Sequence, residues 1–251
     1  MNWSKIEEAR RFLGIYDYPG NLFNLFSNTE KMIRENKIVL FKEDIDEVSG
    51  FIGYSSGYTI ICINHKNNIG HQNFTLAHEL GHMFLHNGIP QADKDLSGAG
   101  GQKEREANEF ARELIYPKEL AMKDKEHAIS NDLLNPRNID KLAEYISELS
   151  CKYCTSFKFT YYRIFDTYFK NFETKKNEYS RLKRYIGKLP NRFPDKKHMY
   201  VVVKEHKFYK ADYRPYEYMI NLINDLSKSK DIGYETGQAI IDKYESLGGN
   251  E

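Results

Sequence analysis

Apolar groups recur at helical spacing at Trp3, Ile6, Ala9 and Leu13, which predicts a first helix over residues 3–13. A second helix is expected within 20–36, ending near Asn36. The period then changes. Ile38–Phe41 is a short apolar run, and Phe51–Tyr54 and Tyr58–Ile63 flank the turn signal Ser55-Ser56-Gly57, the pattern of a β-hairpin. A polar connection over 64–70 leads into the next helix. Asn73 is its expected N-cap, and it runs to about Asn87 and stops at Gly88 and Pro90. Leu76, Leu80, Met83 and Phe84 line one side of this helix, which is expected to pack on the sheet.

Gly88–Lys103 reads as a loop, followed by a helix over 102–116 that Pro117 ends and another over 139–149. An aromatic-rich helix is expected in 156–170, a strand over His198–Lys204 around Tyr200-Val201-Val202-Val203, and helices near 215–228 and 235–246. Strands grouped early and helices grouped later point to an α+β fold. The expected division is a main domain over 1–150 and a C-terminal α/β extension over 151–251, the latter a small domain for substrate or partner recognition.

Composition adjusts this picture. Hydrophobic residues make up only 40% of the 251, but the 14% aromatic share supplies large apolar side chains for a core. No apolar run approaches the length of a membrane-spanning helix, and the first residues lack the apolar stretch of a secretion signal, so a cytoplasmic location is expected. The three cysteines, Cys62, Cys151 and Cys154, are too few and odd in number for a disulfide framework. Net charge is +1, yet residues 170–214 are strongly basic and interleaved with Tyr179, Tyr185, Phe193, Tyr200, Phe208, Tyr209 and Tyr213. Such a stretch suits nucleic acid, an acidic partner or a solvated face. No nucleic-acid signature accompanies it, so the solvated face is preferred and direct nucleic-acid binding is not expected.

The chemistry concentrates in His78-Glu79-Leu80-Gly81-His82. Residues four apart share a helix face, so His78 and His82 can reach one zinc ion, and Glu79 points to the open side, where it can take a proton from water. Chance supplies on the order of 0.02 such H-E-x-x-H matches in a chain of this composition. A catalytic zinc needs a third protein ligand. His86 is rejected, because it lies about 12 Å further along the same helix than His78. On the next helix, Glu104, Ala107, Asn108, Ala111 and Ile115 share one small-residue stripe, while Glu106, Glu109 and Glu113 form a charged one. Glu104 is therefore preferred to Glu106 as the ligand, and Asn108, one turn on, is placed to hydrogen-bond a ligating histidine.

The run Phe74–His86 together with Glu104–Pro117 resembles the ImmA/IrrE family of metallopeptidases, and Ser49-Gly50-Phe51-Ile52 and Ile63-Asn64 resemble that family's strand before the motif. The resemblance implies a gluzincin-like zinc peptidase core, a small sheet packed on the H-E-x-x-H helix and on a second ligand-bearing helix. It places His78, His82 and Glu104 on the zinc ligands and Glu79 on the catalytic base. It further implies a cytosolic bacterial endopeptidase that cleaves a helix-turn-helix transcriptional repressor, of a kind often carried on mobile elements. Tyr116 departs from the methionine usual before the proline, which reads as a packing change.

A second function class keeps the zinc site but works by gripping a repressor or the other half of a toxin–antitoxin pair. Glu79 favours the enzyme, since a pure binder needs no base. Cys151-Lys152-Tyr153-Cys154 reads as two ordinary cytosolic thiols, and His65 and His71 as surface residues.

Overall fold

The computed structural model describes residues 3–27, 32, 35–55, 58–86, 91–93, 101–165, 180–182 and 214–248. Four strands, β1 (Ile38–Glu43), β2 (Gly50–Ser55), β3 (Tyr58–Asn64) and β4 (Gln91–Asp93), form one mixed sheet in the order β1-β3-β2-β4. β1 runs parallel to β3, and β2 lies antiparallel to both β3 and β4. Among the described residues the helices are α1 (Trp3–Leu13), α2 (Ile69–His86), α3 (Gln102–Ile115), α4 (Lys118–Ser130), α5 (Ile139–Tyr153), α6 (Phe157–Phe165), α7 (Arg214–Lys228) and α8 (Tyr234–Gly248). The fold is α+β, and none of these helices is long and apolar enough to cross a membrane.

Every residue of β1 and β3 is buried, because both faces of the sheet are covered. Strand alternation sends Ile38, Leu40, Ile52, Ile61 and Ile63 to the face beneath α2, where Leu76, Ala77 and Leu80 meet them. It sends Val39, Phe41, Phe51, Ile60 and Cys62 to the other face, where Ile223 and Leu226 of α7 and Ile240 and Ile241 of α8 close a second core. Polar ties fix this cover. Lys243 of α8 binds the Glu43 carboxylate at 2.6 Å, and Asp46 accepts from Thr236 Oγ1 at 2.7 Å.

Several elements differ from expectation. Within 20–36, where one helix is expected, the described residues form a 3₁₀ helix over Leu22–Ser27, with Leu22, Phe23 and Phe26 all turned inward, while Met32 and Glu35 are π-helical. The stretch expected as a loop over Gly88–Lys103 contributes β4 to the sheet edge, whereas α3 begins at Gln102 as expected. Nothing in the pattern announced α4, which buries only Ala121 and Ala128 and so carries no apolar stripe. Glu113 does not belong to a solvated charged face. It is 3% exposed, pairs with the Arg163 guanidinium of α6 and accepts from Lys118 N. Tyr116 is fully buried, stacked on Tyr153 with ring centres 3.8 Å apart, and its hydroxyl donates to Asp124 at 2.7 Å. The strand expected over His198–Lys204, the turn residues Ser56 and Gly57, the helix end at Asn87–Pro90, and the basic stretch 170–214 apart from 180–182 and Arg214 lie outside the described residues.

Candidate metal centre

The helix that carries the motif starts earlier than its sequence suggests. Asn68 is the N-cap, its Oδ1 accepting from His71 N at 3.0 Å. Asn73 sits inside the second turn, fully buried, and its amide is spent on tertiary contacts. Oδ1 accepts from Leu22 N at 2.8 Å, and Nδ2 donates to the carbonyls of Gly20 at 3.0 Å and Cys154 at 2.9 Å. Gly70 lies against the backbone after α5: a Cβ there would stand 2.2 Å from Ser156 N. The first half of α2 is thereby pinned between the start of the chain and the turn at 154–156.

The second half of α2 meets α3. Gly81, between the two motif histidines, allows the contact, since a Cβ on it would stand 3.1 Å from Ala107 Cα and 3.2 Å from Ala107 O. Ala107 and Ala111 on the facing stripe are fully buried. This close crossing brings Glu104, the first-turn carboxylate of α3, onto the histidines. His78 Nε2 and His82 Nε2 lie 3.0 Å apart, Glu104 Oε2 is 3.2 Å from the first and Oε1 is 3.3 Å from the second. Ligands bound tetrahedrally at ~2.0–2.1 Å stand about 3.3 Å from one another, so this triangle fits one face of such a coordination sphere. The donors, two imidazoles and a carboxylate, are those of a zinc site with a position left for water, and all three residues are buried.

The surroundings tune these groups. Asn108 Oδ1 lies 3.1 Å from His78 Nδ1. An amide oxygen only accepts, so Nδ1 carries the proton and Nε2 presents its lone pair to the triangle. Glu79 is fully buried and stands against β2, where a Cβ at Gly50 would come 3.2 Å from Glu79 Oε1 and 2.6 Å from Thr75 Cγ2. Tyr54, on the same face of β2 as Gly50, has its ionisation pushed up by burial and then by the Glu79 carboxylate. It therefore stays a protonated phenol in the electrostatic reach of Glu79. Its hydroxyl is buried and lacks a hydrogen-bond partner among the described residues.

Other residues singled out in the sequence fall outside the triangle. His86 Nε2 faces the Lys103 carbonyl at 3.2 Å, with Glu106 3.8 Å away, and burial lowers its pKa. His71 Nε2 lies 3.2 Å from Ser49 Oγ, and the His65 carbonyl accepts from Gln72 Nε2 at 3.1 Å. Tyr54 and the tight approach at Gly50 escaped sequence reasoning. Only the resemblance of Ser49-Gly50-Phe51-Ile52 drew attention to that strand, because its nearness to Glu79 is a contact between chain segments.

Known proteins can be set beside this geometry. The chain is 31% identical over 94 residues to metallopeptidase ImmA of Bacillus subtilis (strain 168), a match covering 36% of this chain and 54% of that protein. The chain thus spans about half the length of this curated relative. No solved structure matches it. Residues 34–165, just over half of the chain and inclusive of every residue of the triangle, match the family described as the IrrE N-terminal-like domain, peptidase family M78. The chain belongs to this ImmA/IrrE family of metallopeptidases.

Proposed function

We propose that this protein is a zinc-dependent endopeptidase of the bacterial cytoplasm, with a gluzincin-like core, that cuts a helix-turn-helix transcriptional repressor. The observation that carries the reading is the convergence of His78, His82 and Glu104 within 4.8 Å, with Glu79 next to His78 on the same helix. His78, His82 and Glu104 would hold the metal, which supplies Lewis acidity and lowers the pKa of its water toward ~7. Glu79 accepts the proton of the attacking water and returns it to the leaving amine nitrogen. Asn108 keeps His78 in the ligating tautomer, and Tyr54 keeps a hydroxyl proton near Glu79. We assign the peptidase unit to residues 1–150 and recognition of the partner to 151–251. The repressor as substrate, and a place in transcriptional regulation by mobile elements, follow from the family resemblance.

The test pairs metal analysis with cleavage. Wild-type protein should bind about one zinc per chain and cut a repressor encoded beside its gene, with cleavage abolished by a chelator. Glu79→Gln should keep the zinc and cut nothing. Normal cleavage by Glu79→Gln would overturn the assigned base. A stable complex without cleavage, indifferent to chelator, would replace the peptidase by a regulatory binder.

A further inference from the structure

The turn that seats the first half of α2 carries two thiols that the metal centre does not use. Cys151 lies in the last turn of α5 and is half-buried; Cys154 caps that helix in the left-handed conformation, φ 50°, and is 5% exposed. Both are thiols. Cys154 N donates to Cys151 O at 3.3 Å. A bond of that span closes a turn whose end Cα atoms stand within ~7 Å, and a disulfide takes Cα atoms roughly 4.4–6.8 Å apart. The C-x-x-C spacing, mute in sequence for want of a redox setting, here sits where the backbone already brings its ends together.

A buried amine lies within electrostatic reach of Cys154. Lys42 of β1 is buried and gives a hydrogen bond to Gln72 Oε1 at 2.6 Å. Burial brings its pKa down to about 7, against the opposing pull of Cys154. Burial and then Cys151 push the Cys154 thiol up to about 12, with Lys42 drawing it back. The two groups thus lie within each other's electrostatic reach, and a protonated Lys42 draws the Cys154 thiol toward ionisation. The same turn also holds the motif helix: the Cys154 carbonyl accepts from Asn73, and the backbone of 155–156 lies against Gly70 at the limit of approach.

We propose that Cys151 and Cys154 form a reversible dithiol that takes a peroxide as its two-electron oxidant, and that closing their disulfide loosens the first half of α2. Cys151, the more accessible thiol, attacks one peroxide oxygen, becoming a sulfenic acid and releasing the second oxygen as water. Cys154 then attacks the sulfenic sulfur, losing its thiol proton. The S–S bond forms, and the hydroxyl leaves as water with the proton that Cys154 gives up. A disulfide draws the two Cβ atoms to about 3.8 Å, and one of the residues it ties is Cys154, whose carbonyl holds Asn73. This inference stands independently of the peptidase reading.

The experiment uses the full-length, zinc-loaded protein freed of reductant and treated with hydrogen peroxide. Its ligands are imidazole and carboxylate, so oxidation of thiols leaves the donor atoms themselves intact. The expected results are a mass lower by two hydrogens, a Cys151–Cys154 link in the peptide map, and reversal by dithiothreitol. Amide hydrogen exchange over Ile69–Leu76 should quicken on the order of tenfold in the linked form. Cys151→Ser should form no link, and Cys154→Ala should stop at a sulfenic acid trapped by dimedone. Lys42→Met should slow the second step alone. Retention of all three thiols in peroxide, or direct passage of Cys151 to a sulfinic acid, would overturn the dithiol. A link that forms with unchanged exchange in α2 would overturn the coupling.

Discussion

Gly81→Ala tests whether the crossing of α2 and α3 sets the metal site. The added methyl would stand 3.1 Å from both Ala107 Cα and Phe110 Cδ1, and 3.2 Å from Ala107 O. Carbon atoms in ordinary contact sit ~3.5–4.0 Å apart, so α3 must retreat by about 0.5 Å. The Phe110 ring can yield, but the other two atoms are backbone, which no change of rotamer moves. Two effects on stability oppose each other. Alanine is better than glycine in a helix by about 1 kcal/mol, while overpacking a tight contact costs about 1–3 kcal/mol. The net loss therefore falls between about 0 and 2 kcal/mol, a few degrees in the melting temperature of metal-free protein. Zinc binding should suffer far more. Glu104 lies three residues before Ala107 on the same helix and is carried back with it, whereas metal–ligand distances tolerate only about 0.2 Å. The expected outcome is a zinc Kd raised about 10–100-fold, the range seen when a supporting contact of a ligand is lost. Competition with a chromophoric chelator measures this, alongside thermal melts of the metal-free protein. A variant that binds zinc within twofold of wild type and melts higher would refute the close-approach argument.

Three further substitutions probe the surroundings. Asn108→Ala removes the acceptor on His78 Nδ1 and should weaken zinc about 10–100-fold, read by the same competition, with little effect on the metal-free melt. Arg163→Met leaves the buried Glu113 carboxylate without its guanidinium and should cost about 3–5 kcal/mol in urea unfolding, much of it regained in the double variant with Glu113→Gln. Lys42 is titrated against Lys42→Met. The folded pKa is about 7 and the unfolded value 10.5, so between these the unfolded chain holds a proton the folded one lacks. Raising the pH from 7 to 9 should stabilise wild type relative to the variant, by at most about 1.4 kcal/mol per unit. A flat difference would mean that Lys42 stays charged in the fold.

What could be read in advance was what neighbouring residues decide among themselves. The spacing of His78 and His82, and the small-residue stripe that singles out Glu104, are properties of one helix each. The structure brings them within 3.3 Å because small residues also let the helices meet. The apolar runs of β1 and β3 announced strands, but not that both their faces are buried, nor that the cover comes from Ile223 and Ile240, far along the chain. Glu113 looked like surface charge because its partner, Arg163, is fifty residues away. Asn73 and Asn68 are the same residue type, and either could cap a helix. Only the tertiary partners Gly20, Leu22 and Cys154 decide that Asn73 lies within. α4 hides because two alanines make no stripe, and β4 because three residues make no period.

A helix as deeply buried as α2 must find a partner for each polar side chain it takes inward, and those partners are distributed in a way that fixes the helix. Gln72 accepts from Lys42 of β1 and donates to the carbonyls of His65 and Asn67. Asn73 reaches both the start of the chain and the end of α5. His78 reaches α3 through Asn108. Sliding or turning α2 by even one residue would strand several buried donors and acceptors at once, each at about 1–3 kcal/mol. Packing of Leu76, Leu80 and Phe84 alone would tolerate small rotations of the helix; the hydrogen bonds do not. The polar residues within α2 are thus what hold His78 and His82 at the angle where a carboxylate from another helix can complete the triangle.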